Sequence, residues 1–240
     1  MWQRLISSGL MILGLPAATL AISLPERLEF NVYAFGVYAG KAVQEASLTG
    51  GRLQIVHTAV SADWMKWIYK VDDRIVSLVG SSPRDQVGLP IKFTEKIFEG
   101  RPRHDKEVNF DFKTMKATVR DFKAQNTKIH DITAKTYDSL SSFYAVRDAR
   151  LIVGKSIFID VFDGKRLHAT EVQVLRKERL KVKAGEFNTL VVKPIMKTKG
   201  IFEKTGDVFI WLSDDNRRLP VKMSSAAKIG AVTAELVAFK

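Results

Sequence analysis

The stretch LEFNVYA, residues 28–34, decides the fold class. Leu28, Phe30, Val32 and Ala34 fall on one side of an extended chain, with Glu29, Asn31 and Tyr33 on the other, and that period of two marks a half-buried strand. The same alternation returns along most of the chain. It is present in Leu53, Ile55 and His57, in Val108, Phe110 and Phe112, and in Met115, Ala117 and Val119. It continues through Phe158 to Phe162, Val172 to Arg176, Leu190 to Lys193, Val208 to Leu212 and Ala231 to Val237. Tight-turn chemistry separates these runs at Gly50-Gly51, Asp163-Gly164 and Ala184-Gly185, and Asp214-Asp215-Asn216 plays the same part before Leu219. Strands joined by short turns pair antiparallel. The expected fold is therefore all-β with one or two short helices, a strongly curved antiparallel sheet or open β-barrel.

Two segments depart from the pattern. Asp138 is placed to cap a helix whose Leu140, Phe143, Tyr144, Arg147 and Leu151 share one side at i, i+3, i+4, i+7 and i+11. Ala62 to Tyr69 reads as a short helical turn opened by Asp63, and Lys123 to Lys135 reads as a long loop.

The first residues carry the three parts of a secretory signal: Arg4, the apolar stretch Leu5 to Leu15, and small residues leading to Ala21. The apolar stretch is broken by Ser7, Ser8, Gly9 and Gly14 and falls short of the roughly 20 residues that cross a bilayer. The expected organisation is a signal peptide at 1–21 and one β-rich exported domain at 22–240, periplasmic or otherwise secreted. The chain has no cysteine, which excludes disulfides, thiolate metal sites and a lipidated cysteine. Its net charge of +12 favours anionic partners in the cell envelope. Nucleic acid is not expected as a partner in that compartment.

No motif for chemistry stands out. His57, His104, His130 and His168 have no second ligand at metal spacing, and no Gly-x-Ser-x-Gly elbow, P-loop or dinucleotide fingerprint is present. Asp214-Asp215-Asn216 lacks the spacing of a calcium loop, and Arg217-Arg218 opposes a cation, so a hairpin turn with an Asp215–Arg218 pair is the simpler reading. No catalytic residue, metal or cofactor is expected. Trp64, Met65, Trp67, Ile68 and Tyr69 form the densest aromatic group, flanked by Lys66 and Lys70. The simpler expectation is that this group plugs one end of the core, and the alternative is that it covers a barrel mouth or touches lipid. Arg179, Lys181 and Lys183 alternate with Leu180 and Val182, which puts three cations on one strand face.

The residues above resemble the bacterial exported family known as domain of unknown function 3108. PERLEFNVYAFGVYAGKAVQE at 25–45 is similar to the family's opening strands, and YDSLSSFYAVRD at 137–148 is similar to its central helix. Gly185-Glu186-Phe187, Trp211, Asp215 and Pro220 match its closing motif. The resemblance implies a β-rich curved sheet and brings no activity.

The leading expectation is a non-enzymatic envelope protein that holds a lipid or other amphiphile in its curved sheet. Trp64, Trp67 and Tyr69 are expected near the opening, Phe110 and Phe112 in the lining, and Arg179, Lys181 and Lys183 against anions. Membrane contact is then peripheral at most. The alternatives are an envelope-assembly factor binding acidic polysaccharide or a protein, and an outer-membrane barrel.

Overall fold

The computed structural model describes residues 22–80, 87–100, 103–197, 207–227 and 230–240. The expected signal segment at 1–21 lies outside the described residues. Eight strands come first: β1 (Glu26–Ala34), β2 (Val37–Thr49), β3 (Arg52–Ser61), β4 (Asp72–Val79), β5 (Pro90–Phe98), β6 (Arg103–Asp111), β7 (Lys116–Asp121) and β8 (Asn126–Asp131). A two-residue strand β9 (Thr136–Tyr137) and helix α1 (Ser139–Asp148) follow. The chain then makes β10 (Ser156–Phe162), β11 (Leu167–Val182), β12 (Gly185–Lys197), β13 (Val208–Ser213), β14 (Pro220–Ala227) and β15 (Gly230–Phe239).

All of these strands belong to one sheet in the order β8-β7-β6-β5-β4-β3-β2-β1-β15-β14-β13-β12-β11-β10-β9. Each half is a meander of neighbours in sequence, and the halves meet where β1 pairs antiparallel with β15, Leu28 opposite Phe239. Only β9 runs parallel to its neighbour, β10.

The turns follow from local chemistry. Gly50 and Gly51, at φ +57° and +72°, make the two-residue hairpin that a side chain would strain. Asp111, Asp121, Asp163 and Asp215 each accept backbone N–H groups two and three residues further on, which closes four turns by the same side-chain device.

Two expectations need correction. Residues 126–131 are strand β8, paired with β7, and not part of a long loop. This is an edge strand with five of its six residues exposed, so no buried face imposes an alternation that could be read. The short turn is a 3-10 helix at Met65–Trp67 with no side-chain cap, and Asp63 binds Lys66 Nζ at 2.7 Å instead of opening it.

Helix α1 lies inside the curl. Leu140 and Tyr144 share a buried cluster with Ile55, Val79, Phe93, Val108, Val119 and Phe162, so strands from both meanders pack around it. Leu151, beyond the last turn, is buried with Val146, Val172, Val174 and Leu190. The helix starts where the sequence places it. The Asp138 carboxylate accepts N–H bonds from Leu140 at 2.8 Å and Ser141 at 2.9 Å, and Ser141 Oγ accepts the Asp138 N–H at 3.0 Å. Ser77 Oγ on β4 donates to the same carboxylate at 2.6 Å, which ties the cap to the sheet. Burial pushes the Asp138 carboxyl up, and these donors partly offset the rise.

Asp138→Ala removes the cap, worth about 1 kcal/mol, and strands the buried Ser77 hydroxyl at a cost of about 1–3 kcal/mol. Urea unfolding of this variant is expected to show a loss of about 2–4 kcal/mol. A loss below about 0.5 kcal/mol, the level of a neutral surface change, would refute the cap's role.

Helix α1 is held at its other end by Arg147, whose side chain is 0% exposed. Its guanidinium donates to both oxygens of Glu26 at 2.7 and 2.6 Å and to the carbonyls of Arg218 and Arg217 at 3.0 and 3.1 Å. Tyr144 Oη donates to Glu26 at 3.0 Å. The start of β1 and the β13–β14 turn are thereby fixed to one helix.

Candidate binding face and rim

Cross-strand partners share a sheet face, so the pairing register lays out the inward surface as rows. Ala46, Ile55, Ser77, Phe93, Val108 and Val119 are successive partners across β2 to β7, and all six are buried. This row is the floor beneath α1. The next row on the same face, two residues along each strand, is Gln44, His57, Ile75, Glu95, Lys106 and Asp121. One step of register therefore turns an apolar wall into a polar one.

The polar row is incompletely paired. Gln44 is buried against the Tyr144 hydroxyl, and His57 Nδ1 beside it has no hydrogen-bond partner among the described residues. Lys106 is 8% exposed and forms an ion pair with Glu95 at 3.6 Å, longer than a hydrogen bond. His104 Nδ1 is 3.9 Å from the same carboxylate. Further along, buried Asp73 sits opposite Ala59 and accepts the Phe98 N–H at 2.8 Å. Burial pulls the His57 imidazole down, with Asp73 working against the shift. Burial also pushes the Glu99 carboxyl up, and Asp73 adds to it. A neutral imidazole, an amide and a lysine on an apolar wall offer donors and acceptors to a polar group. Among the described residues, no three His, Asp or Glu side chains gather as metal ligands do.

Sequence reading passes over this row by treating His57 as an ordinary face residue. The signal was available: Glu95 and Lys106 occupy the same alternation phase as Phe93 and Val108, so charge stands where the pattern calls for apolar side chains.

The aromatic group sits elsewhere. Trp64, Trp67, Ile68 and Tyr69 lie between β3 and β4, and Trp67 is 93% exposed. A depression of about 560 Å³ beside them is lined by Tyr38, Lys41, Val60, Lys66, Lys70 and Asp72. Lys41, Val60 and Asp72 are cross-strand partners of the opposite phase to Ala42, Ala59 and Asp73, so this depression opens on the outer face. Phe110 and Phe112 are at the other end of the strands. Their rings stack at 6.2 Å and pack against the buried cluster around α1, with Phe110 edge-on to Phe162. The structure does not bring these two together with the tryptophans.

Arg179, Lys181 and Lys183 are exposed on β11 and the turn after it. Arg179 is matched by Glu186 at 2.9 Å, which leaves Lys181 and Lys183 as the cations of that stripe without an ion pair among the described residues. The four closing positions have structural work. Gly185 opens β12 at φ +140°. Trp211 packs on Phe209 beneath Lys222 Nζ, 5.8 Å from its ring. Pro220 opens β14 opposite Leu212. Asp215 accepts from Ser213 Oγ at 2.6 Å and pairs with Arg217 at 2.7 Å. Arg218 binds Asp214 at 3.2 Å, so the expected Asp215–Arg218 side-chain pair is corrected to these two. Of the remaining histidines, His168 Nε2 is 2.8 Å from Asp163 and His130 packs on Phe162.

The family described as "Protein of unknown function (DUF3108)" matches residues 29–237. No curated protein matches the chain. A crystal structure of a beta-barrel-like protein of domain of unknown function DUF1849 from Brucella abortus is similar in fold. Its TM-score is 0.60 at 13% identity, covering 90% of this chain and 97% of that one. A Bacteroides fragilis protein described as exported and YmcC-like in fold gives a TM-score of 0.38 at 12% identity, over 93% and 99% of the two chains. A Parabacteroides distasonis protein described as a lipoprotein gives 0.36 at 10% identity, over 92% and 99%.

Proposed function

This chain belongs to the DUF3108 family, and from that premise we propose that it is a non-enzymatic exported envelope protein binding an amphiphilic molecule on its inward face. The observation that carries this reading is the polar row set into an apolar wall, where His57 Nδ1 is buried without a hydrogen-bond partner among the described residues. A buried polar group left unpaired costs about 1–3 kcal/mol, and a ligand's polar group seated there removes that cost. Lys106, ion-paired with Glu95 at 3.6 Å, adds N–H donors on the same row for a ligand's polar group. The signal-like segment at 1–21 supports an envelope location.

The outer-membrane barrel is the weaker alternative. Arg27–Glu45, Lys92–Glu107 and Lys222–Glu235 are ion pairs on the face turned away from α1, where a lipid-facing band is apolar. Lys181 and Lys183 would favour acidic polysaccharide, and salt-sensitive binding to such a polymer would identify it.

The test is mass spectrometry of an organic-solvent extract of the protein purified without detergent. A stoichiometric amphiphile is expected from the wild type and at least about tenfold less from a folded Lys106→Met variant, the loss of one good charged contact. An extract without any amphiphile, or equal amounts from both proteins, would overturn the reading.

A further inference from the structure

We infer that the loop between β3 and β4 is a membrane-surface contact that seats on an anionic lipid bilayer, independently of any molecule held on the inward face. Four consecutive or near-consecutive side chains at its tip are solvent-facing: Trp64 at 47%, Trp67 at 93%, Ile68 at 74% and Tyr69 at 44% exposure. A contiguous apolar group of this size on a strand end marks a contact surface. Tryptophan and tyrosine, with an apolar body and a polar tip, are the side chains suited to a lipid–water boundary.

The loop is braced so that these side chains stay outward. Trp64 Nε1 donates to the Tyr38 carbonyl at 3.1 Å, which pins the near leg to β2. Ile68 N and Tyr69 N donate to the Met65 carbonyl at 2.9 and 2.7 Å and close the turn. The far leg is held where Gly100 N donates to the Lys70 carbonyl at 2.8 Å. The Tyr69 ring lies on Gly100 so closely that a Cβ there would come within 2.7 Å of it. Ordering on contact therefore costs little, because the apolar tip is already presented.

Charge selects the occupant. Around the loop stand Lys41, Lys66, Lys70, Arg74, Lys96 and Arg103, against Asp63, Asp72, Glu99, Asp105 and the buried Asp73, a small basic surplus. Asp63 is matched by Lys66, and Lys70 and Arg103 flank the Phe98 ring at 5.0 and 4.5 Å. A basic collar behind an apolar tip fits a surface with anionic headgroups outside and hydrocarbon below. Lysine stems reach along such a boundary while the ammonium stays at the phosphate level.

The test is co-sedimentation of the purified protein with vesicles of equal parts phosphatidylglycerol and phosphatidylcholine, and with phosphatidylcholine alone. Binding to the mixed vesicles is expected, with about a tenfold loss in a Trp67→Ser/Ile68→Ser variant that keeps the same N-terminus. Raised salt and Lys70→Glu are expected to weaken it further. Tryptophan emission of the bound wild type is expected to be quenched by brominated chains, and less so in the variant. No binding to the mixed vesicles, equal binding to both compositions, or undiminished binding by the variant would overturn the inference. Self-association through the loop without vesicle binding would overturn it too. A protein whose extract is empty but which binds vesicles through this loop would defeat the proposed cargo and leave this contact standing.

Discussion

Arg147→Met is expected to destabilise the protein by about 3–5 kcal/mol, the cost of breaking a buried ion pair and leaving one charge behind. The remaining Glu26 carboxylate is buried and, among the described residues, keeps the Tyr144 hydroxyl as its one side-chain donor. The carbonyls of Arg217 and Arg218 lose their partner as well. Adding Glu26→Gln removes the stranded charge, so the double variant is expected to recover part of the loss. Urea unfolding of the two single variants and the double measures the coupling between the groups. Additive losses would mean that the pair does not act as a unit in holding α1 to β1.

Gly40→Ala is expected to cost about 3 kcal/mol or more, the upper range for overpacking. A Cβ at Gly40 would stand 2.2 Å from the Val60 carbonyl oxygen and 2.9 Å from Ser61 Cα, both backbone atoms of the paired strand β3. No flexible side chain can yield there, so the ladder itself has to move. Gly36→Ala is the informative contrast. Nothing lies within 4 Å of its added Cβ, and its φ of +80° alone sets a penalty of about 1 kcal/mol. Thermal and urea midpoints of the two variants separate close approach from backbone conformation. Equal losses would mean that the β2–β3 contact does not restrict residue 40.

Much of this architecture was legible because burial writes a period into the chain. Leu28 and Phe30 are buried in the phase that the alternation assigns them, and α1 begins at the capping aspartate its sequence offers. Strand β8 was illegible for the converse reason: at a sheet edge, with five of its six residues exposed, Asn126 to Asp131 has no apolar phase to display. The rim aromatics and the phenylalanines were alike as residue types, and only the pairing register separates Trp67 at one strand end from Phe110 at the other. The polar row was hidden by register too. Gln44, His57, Glu95 and Lys106 come from four strands and become neighbours only when those strands are aligned.

The pairing of β1 with β15 has a kinetic side. Each meander can grow from local hairpins, but the seam between them joins residues separated by nearly the whole described chain. Such long-range closure is slow, and β1 emerges in synthesis long before its partner β15. Until β15 arrives, one edge of a strand bearing Leu28 and Phe30 offers unpaired backbone groups to any other extended chain. Holding β1 apart until β15 is available is the task this topology sets for a chaperone.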